Sequence, residues 1–341
     1  MLLSRLKLMT SSFLSCLAAQ AFVARALVPA VSRFVSTLVG LGSRKPGASV
    51  GRSADAAGTS ARATSVALAL WFCLAAFSVH AASDDTPEAA LNRLYNYDFV
   101  GAHRVLDAWN GKHPDSSLGH ALQAAAFMFS EFARLQILEG EFFTDDKKIV
   151  DKKGLTYDPV VRGQFYGELE TARKLAQQRL AVDPKDQDAL FVMTVSEGLQ
   201  ADFDALIEKH PLASLSYAKD AQTYAVRLLA VNPGLGDAYL TTGYSEYLLG
   251  SLPFFVRWFT KFDDTEGNKI TAIQKLQRAA ETGHYLGPYA KIMLAIIYVR
   301  EDRLPDSEAL LRKLAAAYPE NPMFKKELEK ISQYTKKKKS R

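Results

Sequence analysis

From Pro87 onward, apolar residues recur three or four positions apart, the spacing of one face of an α-helix. The pattern is plainest near the C-terminus. There Ile292, Leu294, Ala295, Ile296 and Tyr298 precede a polar turn, Glu301-Asp302-Arg303, and Leu310, Leu311 and Leu314 form a second stripe ending at Tyr318-Pro319. The same reading upstream predicts helix pairs over about 87–96 with 98–112, 117–139 with 160–182, 186–208 with 213–231, 236–250 with 268–282, and 287–300 with 305–318. A last helix is expected at about 322–334, with Glu327, Glu329, Lys330 and Gln333 on a polar side suited to capping an array. The expected fold is all-α.

The joints between helices repeat. Leu-Ala-Val-Asp-Pro-Lys-Asp-Gln-Asp-Ala at 180–189 and Leu-Ala-Val-Asn-Pro-Gly-Leu-Gly-Asp-Ala at 229–238 stand 49 residues apart. Proline has no N–H and clashes with the turn behind it, so it ends the first helix, and the acidic or amide residues that follow suit the cap of the next. Ala102, Ala172, Ala221 and Ser307 each lie twelve residues before a joint proline, at 114, 184, 233 and 319. That distance places a small side chain near the start of the helix that the proline ends, where a partner helix can come close. A repeated joint of this kind predicts a stacked helical array.

Composition changes the picture at the two ends. Residues 1–81 are rich in Ser, Ala and Arg. They carry eight basic residues and one acid, a net of +7 against +5 for the whole chain of 341 residues, which leaves −2 for 82–341. Lys336 to Lys339 and Arg341 supply five positive charges at the extreme C-terminus, so the body is near −7, and a broad nucleic-acid-binding surface is not expected. Arg62, the apolar run Val66 to Val79, and Val79-His80-Ala81 have the shape of a secretory signal peptide cleaved after Ala81. The run is short for a membrane span, which needs about 20 residues, although an uncleaved anchor is the alternative. Residues 1–61 read as a leader: an organellar transit segment, or an extension upstream of the true start. Both cysteines, Cys16 and Cys73, fall before residue 82, so no disulfide or thiolate metal site is expected after it. The basic run at 335–341 reads as a tail.

Candidate chemistry is sparse. Histidines 103, 113, 120, 210 and 284 have no metal-ligand spacing, and there is no Gly-rich phosphate loop and no GxSxG, so neither catalysis nor a cofactor or metal is expected. The acids of Glu197-Gly198-Leu199-Gln200-Ala201-Asp202-Phe203-Asp204 read as solvated charges. His210 reads as a helix-end cation. The segment 252–262 holds Phe254, Phe255, Arg257, Trp258 and Phe259. Its bland reading is core filler between displaced helices. Its functional reading is an anchor for a protein partner or a membrane surface.

The helix pairs resemble the tetratricopeptide repeat (TPR), whose pattern sets small, aromatic, small and proline positions along a helix–turn–helix unit. Residues 288–319 carry Ala295, Tyr298, Ser307 and Pro319 at those positions, and the unit before carries Tyr239 and Gly243, then Ala272, Leu276, Ala279 and Ala280. The resemblance spans roughly 87–319, with insertions at 140–158 and 252–267. It implies a superhelical solenoid of about five pairs plus a capping helix, with a concave surface lined by the first helix of each unit. Asp188, Phe191, Val195, Tyr239, Tyr244 and Lys291 are the lining positions that it implies. The function implied first is a non-catalytic scaffold for protein–protein interaction in the cell envelope. The second is small-ligand binding, as in exported TPR proteins that enclose a cavity and assist substrate-binding proteins of TRAP-type transporters.

Overall fold

The computed structural model describes residues 85–138, 156–251 and 267–339. Among the described residues there are eleven α-helices and no strand: α1 Pro87–Tyr95, α2 Phe99–Lys112, α3 Ser117–Arg134, α4 Pro159–Val182, α5 Gln187–Phe203, α6 Pro211–Val231, α7 Ala238–Ser251, α8 Lys269–Thr282, α9 Gly287–Arg300, α10 Leu304–Ala317 and α11 Pro322–Lys339. The protein is all-α. The leader, the signal-peptide reading and the aromatic segment 252–262 lie outside the described residues. No helix among the described residues is long and apolar enough to cross a membrane.

The expected pairs appear within a few residues, except that the helix expected over 117–139 stops at Arg134, and with two further differences. The helix expected over 186–208 stops at Phe203, and Asp204–Glu208 winds as one π turn. That turn closes on Lys209, which has φ 57°, and on a backbone bond from the His210 N–H to the Asp204 carbonyl at 2.8 Å. His210 thus stands at the N-cap of α6, where its backbone and not its ring makes the contact. The second difference is at the C-terminus, where the backbone stays helical through Lys339 instead of giving way to a tail after 334.

Caps set the starts. Thr86, Asp98, Ser116, Asp158, Asp186 and Asn268 each accept a bond from a first-turn N–H of the helix that follows. The small residues twelve before each joint proline are buried: Ala102, Ala172, Ala221 and Ser307. Ser307 also donates its hydroxyl to the Ala295 carbonyl at 2.8 Å, fastening α10 to α9. Gly243 lets α7 come close to α8. A Cβ there would lie 2.9 Å from Leu276 Cγ and 3.1 Å from the Ala272 carbonyl.

Each helix packs on the next, and α3 packs also on α1 and α5, as α5 does on α7. Helices α1, α3, α5 and α7 therefore share one side. Contacts between distant parts of the chain follow. The Phe129 ring of α3 meets the Tyr289 ring of α9 at 5.9 Å, and Phe191 of α5 stacks on Tyr285 at 5.7 Å. At the end of α1, the Tyr95 hydroxyl donates to the Tyr285 carbonyl at 3.0 Å, and Asn321 donates to the Tyr95 carbonyl at 2.8 Å. The first helix thus touches the segments that lead into α9 and α11.

Candidate functional site

The side shared by α3, α5 and α7 holds a carboxylate that has no partner among the described residues. Helix α5 lies deepest, with twelve of its seventeen residues buried. From Ala189 to Phe203 the only residues not buried are Val195, Gly198 and Asp202, at i, i+3 and i+7. Such spacing is one narrow stripe of a helix. A Cβ built on Gly198 meets no described residue within 4 Å, so there is space beside α5 at that point. Helix α7 brings the matching stripe Thr241, Tyr244 and Leu248, and α9 brings Tyr289 and Ile296; none of these five is buried. From α3, Phe129 reaches Tyr289.

Asp202 is the charged group in this setting. Protein encloses it, yet by surface area it is only half-buried, the combination expected of a side chain lining a concave interior. Among the described residues its carboxylate has no ion pair and no hydrogen bond, and burial alone raises its pKa from 3.8 to about 7. Its charge reaches Tyr244 and Tyr289. Burial first, and Asp202 next, push the Tyr244 phenol up to about 12 and that of Tyr289 well above its ordinary value. The lining is thus aromatic and aliphatic, with two neutral hydroxyls and one carboxylate. Such a lining can hold a mainly apolar molecule and fix one polar end of it. Among the described residues no cluster of three His, Cys, Asp or Glu side chains is placed to hold a metal ion.

The chain matches no protein-family model, and no curated protein matches it significantly.

Of the lining positions expected from sequence, Val195 and Tyr244 fall on these stripes. Phe191 is buried at one end of α5 against Tyr285. Three do not join them. Asp188 projects outward, its side chain 80% exposed and 3.2 Å from Arg179. Tyr239 turns away toward α8: its hydroxyl donates to the Pro233 carbonyl and the Arg278 guanidinium lies 4.3 Å above its ring. Lys291 is half-buried on α9, two residues from Tyr289 and so on the far side of that helix. Phe254, Phe255, Arg257, Trp258 and Phe259 lie outside the described residues.

The acidic run at 197–204 is not the solvated face expected. Glu197 is buried and bonded to Arg173 at 2.9 Å. Asp204 is buried and accepts from the Tyr166 hydroxyl at 3.4 Å. Asp202 faces the interior. The signal for its position is Gly198 four residues before it, a gap on the same face, but one helix alone does not tell which face turns inward.

Proposed function

We propose that the protein is a non-catalytic, exported, TPR-like superhelix that folds its inner helices around a small, mainly apolar ligand. The observation that carries this reading is the Asp202 carboxylate, without a partner among the described residues, on the stripe of α5 where a Cβ at Gly198 would meet no described neighbour. A carboxylate left in apolar surroundings without a partner destabilises the fold, and function is the usual reason for keeping one. Docking of a large protein partner along an open concave surface fits less well. The inner helices meet one another across that surface through Phe129 and Tyr289, and the first helix reaches the last units through Tyr95.

The test uses the space at Gly198. The full chain is titrated with an environment-sensitive apolar fluorophore, and so is Gly198→Trp, placed where an added Cβ meets no described neighbour within 4 Å. The expected result is saturable uptake of about one probe per chain, in keeping with a single enclosed site, reduced at least tenfold in the variant while its helical content is unchanged. Equal uptake by both chains, or none by either, overturns the proposal.

A further inference from the structure

We propose that the junction of α2, α3 and α4 is a proton-operated lock, fully bonded only while His120 is charged and His103 is neutral. The lock is independent of interior binding and follows from the atoms that face each imidazole. Both ring nitrogens of His120 meet acceptors. Nδ1 lies 2.6 Å from a Glu168 carboxylate oxygen on α4, and Nε2 lies 3.4 Å from the Pro114 carbonyl in the joint before α3. Only the imidazolium donates from both nitrogens. His103, on α2, meets the opposite kind of partner. Its Nδ1 lies 3.2 Å from the side-chain nitrogen of Gln123, which also donates to the Asp107 carboxylate at 2.9 Å. A carboxylate only accepts, so Asp107 fixes the amide with its NH2 toward both groups, and His103 accepts at Nδ1 as a neutral ring. Gln123 is 3% exposed, and its Oε1 has no partner among the described residues. A proton on His103 Nδ1 would force that amide over and set Oε1 against the Asp107 carboxylate. His113, beside Pro114, is turned to the Trp109 carbonyl at 3.1 Å. Among the described residues neither α1 nor α5 brings a charge to either ring. Titration follows the same division. The bond to Glu168 raises the His120 pKa above 6.5, whereas burial lowers that of His103 against the pull of Asp107 and Glu168. The His120 contribution is therefore present below pH 6.5 and lost as pH rises through its folded value. The His103 contribution is present above pH 6.5 and lost as pH falls through its own. The lock holds between the two.

The test follows the imidazole nitrogens of the full chain by long-range proton–nitrogen NMR from pH 5 to pH 8.5, with each ring assigned through its backbone. At pH 6.5 His120 should carry protons on both nitrogens and His103 on Nε2 alone. Amide exchange in α3 and α4, corrected for its intrinsic pH dependence, is then measured at pH 6.5 and pH 8.5. It should be about tenfold faster at the higher pH, the size of one charge-assisted hydrogen bond. Glu168→Gln keeps the shape and removes the charge. It should lower the His120 midpoint and abolish that difference in exchange, while His103 still titrates below 6.5. A neutral His120 or a proton on His103 Nδ1 at pH 6.5 overturns the proposal. So does a pH-dependent exchange that survives Glu168→Gln, or exchange that does not change as His120 titrates.

Discussion

Asp202 makes a claim about stability as well as about binding. Its carboxyl titrates near 7 in the folded chain against an ordinary value of 3.8, so the folded state favours the neutral form. The stability associated with that form is fully present below about pH 4 and is lost as pH rises through 7. The gap between the two values corresponds to an upper bound of roughly 4 kcal/mol, part of which water reaching the interior takes back. Asn cannot ionise, so Asp202→Asn should melt higher than the parent chain at pH 8, with a much smaller gain at pH 5. Thermal unfolding of both chains at the two pH values checks this, and a pH-independent difference would show that Asp202 is already solvated or paired. Asp188 and Asp237 show why such assignments escape a sequence. They occupy the same place in the repeated joint, yet Asp188 is exposed, whereas Asp237 is 2% exposed and accepts from the backbone N–H groups of His284, Tyr285 and Leu286. The identical letter caps a neighbouring turn in one joint and meets solvent and Arg179 in the other, because the backbone at 284–286 folds onto Asp237, whereas the pair that follows the first joint reaches Pro184 and Gln187 instead.

At the scale of elements, two glycines on neighbouring inner helices have opposite uses. Gly243 lets α7 and α8 touch, and an added Cβ would sit 2.9 Å from Leu276 Cγ and 3.0 Å from Lys275 Cβ. Gly243→Ala should therefore destabilise by about 1–3 kcal/mol through overpacking. Gly198 borders open space, so Gly198→Ala should stabilise by up to about 1 kcal/mol through helix propensity alone. Chemical denaturation of the two variants measures both signs, and a loss at Gly198 would mean that the space beside α5 is filled. Helices and their ends were legible in the sequence because periodicity, capping Asp, Asn, Ser and Thr residues and joint prolines are local signals. The buried small residues at 102, 172, 221 and 307 were legible for the same reason. The inward face of α5 was not. That helix is buried nearly all round, with Thr194, Ser196, Glu197 and Gln200 among its buried residues, so its pattern marks no single face. The face becomes defined only when α3, α7 and α9, scattered over more than 150 residues of chain, close on it. The π turn at 204–208 was likewise illegible, because an inserted residue within a continuous helical pattern changes the winding without changing the composition.

For the whole molecule, what separates this array from a simple stack is the contact between its ends. In a stack, each unit meets only its neighbours, stability is nearly a sum of local terms, and the ends fray independently. Here α1, with nine residues too short to be stable alone, is held at Tyr95 by segments about 190 and 226 positions away. The Tyr95 ring also lies 5.3 Å from that of Tyr318, and Asn321, which fixes the Tyr95 carbonyl, accepts from the Met323 N–H at the start of α11. These contacts predict that the first and last units unfold together. Tyr95→Ala removes the hydroxyl bond and the ring contact together and should destabilise by about 2–3 kcal/mol, less than a fully buried aromatic, since Tyr95 is half-buried. Tyr95→Phe loses only the bond to Tyr285, about 1 kcal/mol. The distinguishing readout is amide hydrogen exchange. If the ends are coupled, Tyr95→Ala should speed exchange both in 87–95 and in 284–289, although the two segments are far apart in sequence. Faster exchange confined to 87–112 would mean that α1 frays by itself and that the interior face is open at that end. The enclosed Asp202 site depends on this coupling, since loosening the ends parts α3 from α9 at Phe129 and Tyr289 and admits water to the carboxylate. The same Tyr95→Ala chain should therefore also lose most of the pH-dependent gain brought by Asp202→Asn.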